Sequence, residues 1–102
     1  MVEALPKDEV SRTLGHQLLR SGCSVSANYR SATRAKSRAD FIAKLGIVEE
    51  ECDETIHWIE LLTDSGRISA AIVAPLTKEA VEILSMVVAS IRTAKLHRQN
   101  AS

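Results

Sequence analysis

The sequence predicts an all-α fold, an antiparallel up-down bundle of long helices, and three observations carry that expectation. Apolar residues recur at spacings of three and four along most of the chain. No stretch shows the two-residue alternation of a strand. Only Tyr29, Phe41 and Trp58 are aromatic against a hydrophobic content of 45%, so the core must be aliphatic. At 102 residues, the expectation is one helical-bundle domain over 1–102 with one core.

The first helix is predicted over about 7–32. Val10, Leu14, Leu18, Val25, Tyr29 and Ala32 fall on one face, with Ser21 and Asn28 in phase. Pro6 followed by Asp8 and Glu9 suits a helix start, where proline is tolerated and carboxylates meet the positive end of the dipole. Gly22 in mid-helix costs roughly 1 kcal/mol relative to alanine, which marks it as a point where another backbone packs closely. Asn28 lies on the core-facing phase, and a buried amide must find partners. It is therefore expected to bond across the bundle as a polar pin, with ligand contact as the alternative.

The second helix is predicted over 37–64. Ser37-Arg38-Ala39-Asp40 has capping-box spacing with Asp in place of the usual Glu or Gln. Its stripe is Phe41, Leu45, Val48, Cys52, Ile56, Ile59 and Leu62, and Asp64-Ser65-Gly66 closes it. The third helix is predicted over 70–97 through Leu76, Ala80, Ile83, Leu84, Val87, Val88 and Ile91. Ser69 is the better cap for it, which leaves Pro75 inside the first two turns.

Charge is balanced in sum and uneven in distribution. Residues 1–44 hold eight bases and four acids, residues 45–64 hold seven acids and no base, and residues 65–102 hold five bases and two acids. A general basic field is thereby excluded, and any nucleic-acid contact must rest on a local patch. Cys23 and Cys52 have no CxxC spacing and no secretory leader beside them, so both read as small core residues in a reducing, cytoplasmic setting. Apolar runs are too short to span a membrane.

Little here suggests catalysis. Glu54-Thr55-Ile56-His57 has the E-x-x-H step of di-metal bundle sites, but such sites need a second copy and two more carboxylates. His16 and His97 have no partner at metal-ligand spacing, and no Ser/His/Asp order, phosphate loop or zinc spacing is present. The expectation is no enzyme, no catalytic or metal-binding residue, no cofactor and no small-molecule substrate.

The strongest local charge is Arg30, Arg34, Lys36 and Arg38, between the first helix and the second. Two readings stand. Arg30 and Arg34 share a face and suit the negative end of a helix dipole, a structural role. Alternatively, the four form a corner that neutralises phosphates with little sequence preference. Tyr29 alone interleaves an aromatic, which disfavours base stacking and favours contact with the backbone of structured RNA or DNA. The acidic run from Glu49 to Glu54 reads mainly as a solvated face, with contact to a neighbouring subunit's basic segment as the alternative.

The segments QLLRSGCSVSANYRSA, RAKSRADFIAKLGIVEEECDETIHWIELL and APLTKEAVEILSMVVASIRTAK together resemble the bacterial four-helix bundle family that includes proteins encoded in intervening sequences of 23S ribosomal RNA genes. RSG-x-SV-x-ANYR followed by SRA-[DE]-FIAKLGI is the long, ordered part of that signature. The resemblance implies a left-handed up-down bundle, commonly a pentamer, without known catalytic activity. A distant relative, the accessory variability protein of diversity-generating retroelements, looks like a basic pentamer that binds nucleic acid and a reverse transcriptase. This sequence departs from the family at Val2–Lys7, which resembles the end of the family's first helix, so three helices are expected where the family has four. The vacant groove would expose aliphatic side chains. An upstream extension is the favoured reading, and cover by neighbouring subunits the other. The function expected is a non-enzymatic homo-oligomeric bundle that binds RNA or DNA through its basic corner, with a protein-interaction scaffold as the alternative.

Overall fold

In the computed structural model, which describes residues 4–100 with side chains to His97, three helices follow one another: α1 (Glu9–Thr33), α2 (Arg38–Asp64) and α3 (Ala70–Asn100). The described residues contain no strand. The connections are short, so the path is up-down-up and α2 lies between its two neighbours. α1 and α3 each pack along α2 and barely touch one another. The result is an elongated open layer of 54 × 20 × 15 Å.

Each helix end has a chemical cause. α1 begins at Glu9, slightly later than predicted, because Asp8 is the N-cap: its Oδ1 accepts from the Ser11 N–H at 2.9 Å and its Oδ2 from the Ser11 hydroxyl at 2.8 Å. Ser37 caps α2 by accepting from the Asp40 N–H at 3.0 Å. The Asp40 carboxylate reaches back to the Lys36 N–H at 3.2 Å, one residue beyond the usual capping-box target. α2 ends in a Schellman motif, with the Gly66 N–H donating to Thr63 O and the Arg67 N–H to Leu62 O. Gly66 sits at φ 73°, left-handed backbone that L side chains avoid. At α3 the Ser69 hydroxyl accepts from the Ala71 N–H, and Pro75 lies inside the helix as predicted.

The core has two parts. One groups Leu18, Ile59, Leu62, Ile68 and Val73, near the start of α1. The other groups Ala32, Leu45, Val48, Cys52 and Val87, toward the other end. Between them lies a buried polar layer, where the Ser21 and Thr55 hydroxyls are 2.9 Å apart. Ser21 also reaches Leu18 O at 3.2 Å and Thr55 reaches Glu51 O at 2.8 Å. Two hydroxyl protons serve these three contacts, so every oxygen has a partner without breaking either helix.

Several predicted core positions lie elsewhere. In α1 the buried positions include Ser11, Gly15 and Ser21, while Val10 and Tyr29 are exposed. In α2, Thr55 is buried and Ile56 only half-buried. The cause is the open layer: α1 has one helix to pack against, so only the stripe that faces α2 is fully covered.

Candidate nucleic-acid interface

Antiparallel packing places the end of α1, the start of α2 and the end of α3 at one pole. Arg30, Arg34, Lys36 and Arg38 are all exposed there, and none forms an ion pair among the described residues. Arg30 lies in the last turn of α1 and Arg34 is its C-cap, so both sit where a helix dipole favours cations. Lys36 lies in the connection and Arg38 is the first residue of α2, at the positive dipole end. The structural role therefore accounts for two of the four cations. Arg38 is held against the dipole, and Lys36 lies between the two helices.

The local acid, Asp40, is already occupied. Its carboxyl is held below the ordinary value of 3.8 chiefly by the Lys36 N–H, then by Lys44, whose Nζ lies 3.3 Å away. Asp8, at the opposite pole, is likewise lowered by the Ser11 N–H and hydroxyl, with Arg67 contributing. A carboxyl whose folded pKa is lowered binds fewer protons folded than unfolded. Its stabilisation is present above about pH 4 and is lost as pH falls through the folded pKa. Thermal unfolding followed by helical circular dichroism is thus expected to shift down between about pH 5 and pH 2. Asp8→Asn and Asp40→Asn together should make the shift smaller.

Sequence reasoning missed the contribution of α3. Arg92, Lys95 and His97 are exposed on its last turns, and Arg38 and His97 line the same concavity of about 580 Å³. These positions are more than fifty residues from the corner in sequence. Only the excess of bases in the C-terminal segment hinted at them.

The remaining candidates are placed differently from expectation. Asn28 is half-buried, and its Nδ2 donates to Ser24 O at 2.9 Å and Ser24 Oγ at 3.1 Å, one turn back on its own helix. An amide so close to its own preceding turn satisfies itself locally. The polar contact between helices is Ser21 with Thr55. Gly22 faces a groove rather than a backbone, and a Cβ built on it meets nothing within 4 Å. Its close-packing role is not found within this chain, because α1 and α3 splay apart at that level. Gly22→Ala is therefore expected to stabilise the protein by about 0.5–1 kcal/mol, through better helix propensity. A rise in urea midpoint at unchanged slope would show it; a fall would mean that something packs against the glycine in solution.

Cys23 is exposed, not a core residue, whereas Cys52 is buried. Burial, then the charge of Asp53, pushes the Cys52 thiol up, so it stays protonated and unreactive. The acidic run is only partly a solvated face. Glu51 and Glu54 bind Arg20 of α1 at 3.2 and 2.7 Å, which engages the carboxylate of the E-x-x-H step. His57 is exposed and tilts against Trp58, with ring centroids 5.0 Å apart. Among the described residues, no group of three His, Cys, Asp or Glu is placed to hold a metal ion. None of the described helices is long and apolar enough to cross a membrane.

The groove between α1 and α3 is the other surface feature. It measures about 590 Å³, and Val25, Tyr29, Leu76, Ile83 and Met86 line it over a floor of Cys52 and Thr55. Tyr29 and Met86 are 40% and 46% exposed. The aliphatic groove expected from the sequence is thus present.

Comparison with known proteins agrees with this architecture. The sequence matches the model of the 23S rRNA-intervening sequence protein family over residues 1–89. It is similar to a crystal structure of a protein of unknown function from the S23 ribosomal protein family of Bacteroides thetaiotaomicron. The identity is 40% and the TM-score 0.73, over 76% of this chain and 72% of that one. No curated protein matches the sequence. The chain belongs to the 23S rRNA-intervening sequence protein family.

Proposed function

We propose that this protein is a non-enzymatic, homo-oligomeric helical bundle that binds the backbone of structured RNA or DNA through its basic pole. The observation that carries the reading is the cluster Arg30, Arg34, Lys36 and Arg38, exposed and free of ion pairs among the described residues. Arg20, Lys44 and Arg67 each lie beside a carboxylate, and what sets the corner apart from the other unpaired cations is that its four fall within residues 30–38. One of the four corner cations, Arg38, opposes the helix dipole, a cost of roughly 0.3–1 kcal/mol that phosphate binding offsets. Assembly into a ring, as the family resemblance implies, would repeat this pole around a rim and multiply weak contacts.

Gel shifts across a salt series test the reading, with an RNA hairpin and a DNA duplex as probes. Binding should be strongest at about 50 mM salt and weaken linearly on a log–log plot, since bound cations release counterions. No shift with either probe at low salt would sink it.

A protein-interaction scaffold is the second reading, favoured by the apolar groove between α1 and α3. Patches of that kind commonly mark contact surfaces. Light scattering that gives a monomer would count against assembly through the groove.

A further inference from the structure

The antiparallel path brings together, at the basic pole, residues that are remote in sequence. The concavity between the start of α2 and the end of α3 is lined by Arg38 and Phe41 on one side and by Met86, Ser90, Thr93 and His97 on the other. It is an open concavity of about 580 Å³, wide enough to receive a small planar group. Its chemistry is divided by position. Arg38 and His97 are at the outer end, and both are exposed. Phe41, half-buried against the core group of Ala32, Leu45, Val48, Cys52 and Val87, forms an aromatic wall further in. Met86 at the inner end is 46% exposed and adds a soft apolar surface. The hydroxyls of Ser90 and Thr93 lie between these ends.

We propose that this concavity seats one unpaired nucleotide of a bound strand, with its phosphate between Arg38 and His97 and its base against Phe41 and Met86. The proposal rests on the nucleic-acid reading above and gives it a specific site. A planar guanidinium matches phosphate geometry and imidazole N–H is a second donor. A base offers a flat face to an aromatic ring, and Ser90 and Thr93 supply hydroxyls that donate or accept at the sugar or base edge. Phe41 lies one turn on from Arg38 in α2 and supplies the aromatic beside that cation, while the fold adds His97 from α3. The arrangement separates two modes of contact, with Arg30, Arg34 and Lys36 outside the concavity meeting backbone and the cleft meeting a nucleotide.

The test is fluorescence anisotropy of the full chain with a labelled hairpin that carries a short single-stranded overhang, beside the same hairpin made blunt. RNA and DNA versions are run together, and the comparison is made on whichever the protein binds. The variants are His97→Ala, which removes a phosphate donor, and Thr93→Trp, which fills the cleft; both positions are exposed, and circular dichroism checks the fold. Each should weaken binding to the overhang hairpin roughly ten-fold, and Thr93→Trp should leave the blunt hairpin unchanged. Arg34→Glu should weaken both. If Arg34→Glu weakens both while His97→Ala and Thr93→Trp bind the overhang like the parent, the nucleotide cleft is wrong and the backbone reading stands. If the parent binds no hairpin of either kind, both fall together.

Discussion

Leu62→Ala is expected to cost about 2–5 kcal/mol, enough to lower the melting temperature by on the order of 10 °C or more. Leu62 is fully buried in the core group near the start of α1, with Ile59, Ile68 and Val73. Truncation there leaves a void that two flanking helices, anchored on α2 alone, cannot collapse to fill. The Leu62 carbonyl receives the Arg67 N–H at 3.0 Å and the Ile68 N–H at 3.3 Å, backbone bonds that the alanine variant keeps, so the loss reports the buried side chain alone. Leu61→Ala is the matched control. Leu61 is 38% exposed, and the same chemical change there should cost no more than about 1 kcal/mol. Urea unfolding of both variants checks the contrast, and equal losses would mean that the Leu61 face is covered in solution.

The second large effect concerns binding. Arg34→Glu, Lys36→Glu and Arg38→Glu combined should reduce affinity for structured nucleic acid by roughly two orders of magnitude or more at about 50 mM salt. Three attractive charges become repulsive ones, and the log–log salt slope should become shallower by about 0.9 for each duplex phosphate that the protein no longer neutralises. The side chains are exposed, so helicity should be unchanged. Lys78→Glu, far along α3 from the pole, carries the charge change of one of these three substitutions and should leave affinity and slope nearly as they were. Light scattering separates the two functional readings. Abolished binding with unchanged mass supports the basic pole as a nucleic-acid surface. Abolished assembly with unchanged binding instead places these residues between subunits.

Much of the fold is legible from local chemistry. The Asp8 and Ser37 caps, the Gly66 stop and the entry of α3 at Ser69 are governed by residues within a few positions of each other, so spacing alone locates them within two residues. The α2 stripe reads well for a related reason. α2 packs on both sides, and Leu45, Val48, Cys52, Ile59 and Leu62 are all buried where periodicity puts them. α1 reads less well because half its circumference has no helix over it. Periodicity marks which residues share a face, and burial then depends on whether that face is covered.

The sequence by itself determined the helical class, the helix ends to within two or three residues (α3 runs to Asn100, past the predicted 97), the aliphatic core, the family and the basic corner, because each depends on contiguous residues and short-range physics. Tertiary structure decided what those features meet. Ser21 and Thr55 became the polar link between helices while Asn28 bonded within its own turn. Gly22 opened onto a groove, and Arg20 drew off part of the acidic run. Arg38 and His97, fifty-nine positions apart, came to line one cleft. None of the pairings between helices is encoded in spacing. They follow from the register and separation of whole helices, which the packing of α1 and α3 against the two faces of α2 sets.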